Sequence, residues 1–429
     1  MNSKIQNDIK ELVSKQVITP EIALNIETYY TEKHSGSPNR LFTLFAIFGS
    51  ALIGMGIILI LAHNWDDLPR AIKTLFAFLS LVIGQCLVGY TILKKKGTAW
   101  KEASGTFLFF AVGSSIALVS QIYNIPGDLS SYLLAWVLLC APLVYIVKSN
   151  VLGLLHIVFS TYYAIVYGYS FLSASNTPWL YLILIFMILP YYALLLKHKR
   201  NANITSIFNW ILPLSLVVVL GTFFTQNDEI GFLMYFTLFG LLYNIGKLPF
   251  FNNQKLRRNG YVILGSLGTI LILLTLSFEE IAGDVFEKNI FVNSQDMSIS
   301  IILFILTMAI LIYSHLKKWT VNYNLFRYVF VIFTAMFFIS YRYNIMPALL
   351  VNMLVLALGV MVVKTGVDKF HFGISNYGML IIVSLIFCRF FDTDISFILR
   401  GLLFVAVGIG FFLTNYIMLK KQKNLKNKV

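Results

Sequence analysis

"FTLFAIFGSALIGMGIILILAHNWDDLPRAIK", residues 42–73, decides what kind of protein this is. Twenty apolar residues, 42–61, match the length of helix that spans a ~30 Å hydrocarbon core. Then His63, Asn64, Trp65, Asp66, Asp67 and Arg70 arrive together, and Ala71 opens the next apolar run. A run, a tight polar corner and another run read as two spans joined at a membrane surface.

Working outward, the same pattern recurs along the chain, at 71–93, 103–122, 130–147, 151–172, 178–196, 205–224, 230–246, 260–278, 298–314, 323–340, 345–363, 373–391 and 396–419. With 42–61 this predicts an all-α polytopic helix bundle of about 14 transmembrane helices. The fifth and sixth runs, and the eleventh and twelfth, are joined by short turns, so the range is 12 to 14. Composition agrees. The 429 residues are 58% hydrophobic and 12% charged, about half the charge of a soluble chain. The first forty residues hold no apolar core ahead of a small-residue cleavage site, so no signal peptide is expected.

The net charge of +14 invites a nucleic-acid reading, and its distribution argues against one. Lysines and arginines are retained on the cytoplasmic side of membranes. With the N-terminus inside, 26 of the 33 fall on inner segments, six on outer ones and Arg327 within a span. Twelve of the 19 acidic residues fall outside. The expectation is an inner (cytoplasmic) membrane protein with both termini cytoplasmic, membrane lipids as partners and no nucleic acid.

Residues 1–40 read as a cytosolic helical hairpin and hinge, with 41–429 as the membrane bundle. Thr19 is placed as N-cap and Pro20 at the first helical position, with Glu21 beside it. So short a pair of helices buries little, which points to a protein partner or to the membrane domain itself. Residues 40–66 are echoed by 257–280 in basic flank, Gly-Ser, apolar run and acidic end, a weak parallel repeat with a boundary near 250–258. Convergent membrane-helix composition is the favoured account of the echo.

Three outer corners concentrate polar chemistry. They supply the candidate site residues: His63, Asn64, Trp65, Asp66 and Asp67; Gln121, Tyr123 and Asp128; and Arg389, Asp392 and Arg400. Each has a plain structural account. Trp65 and Tyr123 suit interfacial anchors, Asn64 and Asp66 suit caps, and the arginines can snorkel or pair with Asp392 and Asp394. Their concentration predicts instead that the corners converge on one outward-facing site, with Arg389 facing Asp66. Gln85 and His156 are the main polar residues at depth and read as helix–helix hydrogen bonders. Cys86, Cys140 and Cys388 lie inside apolar runs without metal spacing. No metal or cofactor motif appears, and no P-loop, HExxH, GxSxG or kinase signature.

"AHNWDDLPRAIK" (62–73), "ALVSQIYNIPGDL" (117–129), "LLAWVLLCAPLVYI" (133–146) and "CRFFDTDISFILRGLLFVAVGIGFFLTNYIMLKK" (388–421) carry a resemblance, as does "ELVSKQVITPEIALNIETYY" (11–30). Together the chain resembles the predicted bacterial membrane proteins of unknown function that couple a short N-terminal helical segment to many spans. That resemblance implies a membrane fold and no activity. The sequence itself favours binding or transport of a lipid or other amphiphile at the outer site, and a role other than catalysis. Two alternatives stand beside it. One is a glycosyltransferase-like membrane enzyme with its acid in the first outer loop; the other is a scaffold or sensor acting through the hairpin.

Overall fold

The computed structural model describes residues 9, 11–35, 65, 67–169, 176–223, 228–251, 254–286, 294–319, 324–343, 347–392 and 397–426. They fall in two units, residues 1–76 and 77–429, each described by itself. Among the described residues every regular element is helical.

In the first unit residues 11–14 are helical and α1 runs Pro20–Ser35. Thr19 caps α1 through its side chain, 3.4 Å from the Ile22 nitrogen. Helix α2 is Arg70–Leu93. There follow α3 (Thr98–Tyr123), α4 (Leu129–Leu143, prolonged by a π turn over Val144–Lys148), α5 (Asn150–Gly168), α6 (Trp179–His198) and α7 (Asn203–Leu220). Next come α8 (Asp228–Gly246), α9 (Gly260–Thr275), the short α10 (Glu279–Val285) and α11 (Ser294–Leu316). The last four are α12 (Val329–Tyr343), α13 (Pro347–Asp368), α14 (Phe372–Asp392) and α15 (Phe397–Lys426).

Ten of the described helices are long and apolar enough to cross a membrane, or eleven if the bent pair α9–α10 counts as one span. These ten coincide with ten of the fourteen runs read from sequence. The count of fourteen is not confirmed. The first run, 42–61, lies outside the described residues. The run 260–278 breaks after Thr275, and the chain turns by 102° into α10. In α12 and α15 the apolar stretches counted are Val329–Ile339 and Phe404–Ile417, within helices whose side chains are described only in part. The Asn324 side chain accepts from the Phe326 nitrogen at 3.0 Å, and a 3-10 turn over Leu325–Arg327 delays the helix start. Arg327 therefore sits in that turn, just ahead of α12.

Large apolar side chains face outward all round the second unit: Phe186 is 70% exposed, Ile302 65% and Leu271 64%. Water would not tolerate that surface and lipid does, so this is a multi-pass membrane protein. With no gain from hiding apolar groups from lipid, helix association rests on close contact. The central helix is α8: its most apolar stretch is 78% buried, against 22% for α2. It packs on α7, α9, α11 and α12. The tightest seam joins α13 to α14. A Cβ at Gly378 would stand 2.5 Å from the Val363 nitrogen and 2.8 Å from the Gly359 carbonyl oxygen, so only glycine permits this approach.

Helix ends are closed by side chains the spacing supplies. Ser149 and Asn259 each cap the helix that follows, accepting at 3.2 Å from Leu152 and Val262 nitrogens. Lys95 and Lys318 adopt the left-handed conformation after α2 and α11, at φ 47° and 52°. The next nitrogens, of Lys96 and Trp319, then reach back to Thr91 and Ser314 carbonyls at 2.9 and 3.1 Å. A cation there also meets the negative end of the helix dipole.

Candidate functional site

Corner by corner, the candidate residues fare differently. His63, Asn64 and Asp66 lie outside the described residues. Trp65 is half-buried, with the Lys73 ammonium 5.7 Å from its ring centre. Its carbonyl oxygen accepts from the Leu68 nitrogen at 3.3 Å, which closes the turn. Asp67 is exposed.

The second corner is built from local turns. Asn124 takes the left-handed conformation at φ 51°, ψ 43° and ends α3. Its nitrogen reaches the Gln121 carbonyl at 3.4 Å, while the Ile125 nitrogen reaches that of Ser120 at 2.9 Å. Both orphan carbonyls are thereby satisfied. Four residues on, Asp128 caps α4. It accepts from the Ser131 nitrogen at 3.2 Å, from the Ser131 hydroxyl at 2.6 Å and from the Ser130 hydroxyl. The bonds from Ser130 and then Ser131 hold the Asp128 carboxyl well below the usual carboxylate range, so it stays ionised.

Gln121 and Asp128 open onto one cavity of about 950 Å³. Phe78, Leu81, Val112, Ile116 and Leu139 supply much of its wall, and the polar groups of Gln121, Asp128 and Ser131 gather at one end. A wall of apolar side chains with a few polar groups at one end is the usual form of a site for an amphiphilic molecule. Beside Gln121 in sequence, Tyr123 is exposed and does not line the cavity.

Halfway along α2, Gln85 also lines the cavity. The sequence reading of Gln85 as a helix–helix hydrogen bonder is corrected here: it is exposed, and among the described residues its amide makes no hydrogen bond. By contrast His156 does bridge helices, its Nε2 lying 2.8 Å from the Leu184 carbonyl oxygen. An unpaired amide in hydrocarbon is costly, which makes Gln85 the conspicuous polar group of the cavity wall.

The third corner clamps a bend. The Asp392 carboxylate accepts from the Glu279 nitrogen at 3.2 and 3.1 Å, capping α10 where the chain turns. Arg389 pairs with Asp392 and lies 3.8 Å from the Glu279 carboxylate. Arg389 and Asp392 do not line the cavity that Gln121 and Asp128 share. Arg400 belongs to α15, and its side chain is not among those described. No group of three or more His, Cys, Asp or Glu among the described residues is placed to hold a metal ion.

Sequence reasoning missed Glu102 altogether. From α3 its carboxylate takes the Asn150 and Val151 nitrogens at 2.9 and 3.0 Å, the Asn150 amide at 2.8 Å and the Ser149 hydroxyl. It thus caps α5 from a neighbouring helix. The only available signal was a lone acid among the lysines of 94–101.

No curated protein and no solved structure matches the chain. A family model does match, and what it describes is "Predicted membrane protein (DUF2157)", over residues 10–153. That stretch holds "AHNWDDLPRAIK", "ALVSQIYNIPGDL" and "LLAWVLLCAPLVYI". Over residues 10–153, about a third of the chain, the sequence is similar to a predicted membrane protein family of unknown function.

Proposed function

We propose that this protein binds, and moves, a lipid or other amphiphile at the cavity between α2, α3 and α4. The polar end of the cavity would face outward from the cytoplasmic membrane, with both chain termini on the cytoplasmic side. The observation that carries the reading is Gln85, a hydrogen-bonding amide midway along a span, exposed to an apolar cavity whose mouth holds Gln121, Asp128 and Ser131. A tail fits the wall, and a head meets the mouth. Because Asp128 is ionised, the head that suits it carries donors, such as ammonium or hydroxyl groups, in preference to an acid.

The orientation is supported by the split of basic residues, 26 to six, across the two sets of loops. The cavity volume of about 950 Å³ suits a single chain-bearing ligand.

Mass spectrometry of the purified full-length protein tests the proposal. A lipid or amphiphile is expected to co-purify with the wild type and to fall by about tenfold in Ala135→Trp, which fills the cavity from its exposed wall. Equal retention in the two proteins overturns the site. Labelling of Asp67→Cys in intact cells by an impermeant thiol reagent tests the orientation, and labelling only after permeabilisation reverses it.

A further inference from the structure

A second cavity, of about 260 Å³, lies between α8, α9, α13 and α14. Its chemistry is unlike that of the first. Lys247 and Lys369 both line it, and none of its lining residues is acidic. Arg327 lies close enough to act electrostatically on Lys247. It is 2% exposed and held by neutral acceptors, Asn244 Oδ1 and Ser314 Oγ, each at 2.9 Å. Among the described residues no carboxylate pairs with any of these three cations. The half-buried Lys247 and the exposed Lys369 share this wall without an acid, with the buried Arg327 near Lys247, and the arrangement suits an anion.

The remaining polar groups point to the same ligand. Tyr243 Oη accepts from the Asn324 amide at 2.7 Å, which leaves its own hydrogen to be donated. Tyr377 Oη is buried beside the Ser266 side chain and, among the described residues, makes no hydrogen bond of ordinary geometry. Lys247 Nζ stands over the Tyr243 ring, 5.2 Å from its centre. Thr365 and Ser266 donate to carbonyls of their own helices, so their hydroxyl hydrogens are already used. The lining therefore offers two ammonium groups and two phenol hydrogens. It has no anionic acceptor. The rest of the wall is apolar, including Val262, Ile263, Leu267 and Met361.

We propose that this cavity binds a phosphate-type anion, held by Lys247 and Lys369 with the Tyr243 and Tyr377 hydroxyls. The anion is either free or the head of an acidic lipid whose chain leaves along the apolar wall. Basic pockets between membrane helices suit such head groups on general grounds. Charge-assisted hydrogen bonds from ammonium groups provide the strength, and the phenols add direction. The site is separate from the cavity between α2, α3 and α4 and does not depend on that cavity's function.

The test uses the full-length protein and two probes. Inorganic phosphate is titrated against the protein in neutral detergent, with chloride as reference, and binding is read by calorimetry. Phosphatidic acid is offered in phosphatidylcholine nanodiscs, and its retention is read by native mass spectrometry. Saturable binding of phosphate identifies a free anion as sufficient. Retention of phosphatidic acid alone identifies the lipid head as the source. The double variant Lys247→Gln with Lys369→Gln is expected to weaken binding by at least about tenfold. Lys317→Gln with Lys318→Gln removes the same charge from exposed positions away from the cavity and is expected to leave binding unchanged. Tyr377→Phe, which removes one oxygen, is expected to weaken binding several-fold and serves where the double variant does not fold. The proposal is overturned if neither probe binds the wild type better than chloride. It is equally overturned if the two double variants lose binding alike, or if Tyr377→Phe binds as the wild type does.

Discussion

The corner at 120–131 and the cationic cavity solve the problem of polar groups in a membrane protein in opposite ways. In the corner, the turn and cap bonds span at most five residues: Ile125 to Ser120, Asn124 to Gln121, and Ser130 and Ser131 to Asp128. In the cavity wall and next to it the corresponding bonds join residues 81 and 83 apart, Asn324 to Tyr243 and Arg327 to Asn244. The corner is complete as soon as its helices form, because its bonds are local. The cavity is assembled only when distant helices pack, and its charges arrive without acidic partners. A motif conspicuous in sequence can thus be a cap, while lysines that look like loop punctuation gather into a site.

That contrast predicts the largest effect on the seam that holds the cavity together. Gly378→Val places a side chain against the Val363 backbone nitrogen, and α14 must separate from α13. Overpacking of this kind costs about 2–3 kcal/mol where neighbours can shift, and more where the neighbour is backbone. The expected outcome is a marked loss of thermal stability in detergent, together with loss of anion binding. Gly127→Ala at the cavity mouth meets nothing within 4 Å and is expected to change neither. A stable Gly378→Val protein would show that the α13–α14 seam is not what holds Lys369 and Tyr377 in place.

The same contrast explains what could be read in advance. Hydropathy is written run by run, so ten spans were legible to within a few residues, and so was the Thr19 cap. The break after Thr275 was not. "LSFEE" reads as the acidic end of a span, and only Asp392, more than a hundred residues later, shows why Glu279 starts a new helix there. Lys247 and Lys369 were legible as basic loop residues and served to orient the chain. Their convergence depends on the α8–α9 and α13–α14 pairings, which hydropathy does not encode. Of the candidate site, Gln121 and Asp128 share a cavity, whereas Gln85 owes its prominence to the helix face it occupies.

A smaller and reversible effect is expected from pH. Burial, with repulsion from Lys369 and Arg327, lowers the Lys247 ammonium from 10.5 to about 8. The groups around it are those two cations and the phenols of Tyr243 and Tyr377. Because the shift is downward, the folded protein without an anion holds fewer protons than the unfolded chain between about pH 8 and 10.5, and its stability rises with pH across that window. A bound anion favours the protonated ammonium. Phosphate affinity is therefore expected to be full below about pH 8 and to fall by up to about tenfold per unit above it. Calorimetric titrations on either side of that value check it. A flat profile would mean that Lys247 carries no part of the binding.

The smallest effect is expected at the third corner, and it decides which side of the contrast that corner belongs to. Arg389 reaches two acids of unequal burial. Asp392 is three residues away with its side chain 10% exposed, whereas Glu279 comes from the distant bend with its side chain 69% exposed. Solvent screens the second pair, so a double-mutant cycle of Arg389→Gln with Glu279→Gln is expected to give a coupling of about 0–1 kcal/mol. The cycle of Arg389→Gln with Asp392→Asn is expected to give more, about 1–2 kcal/mol, because that bond is sheltered and Asp392 also caps α10. Thermal unfolding in one detergent measures both. The expected order makes Arg389 a local clamp that steadies a cap, like the Asp128 corner with a longer reach. A coupling near zero between Arg389 and Asp392 would break that assignment and leave the Arg389 guanidinium available to a ligand.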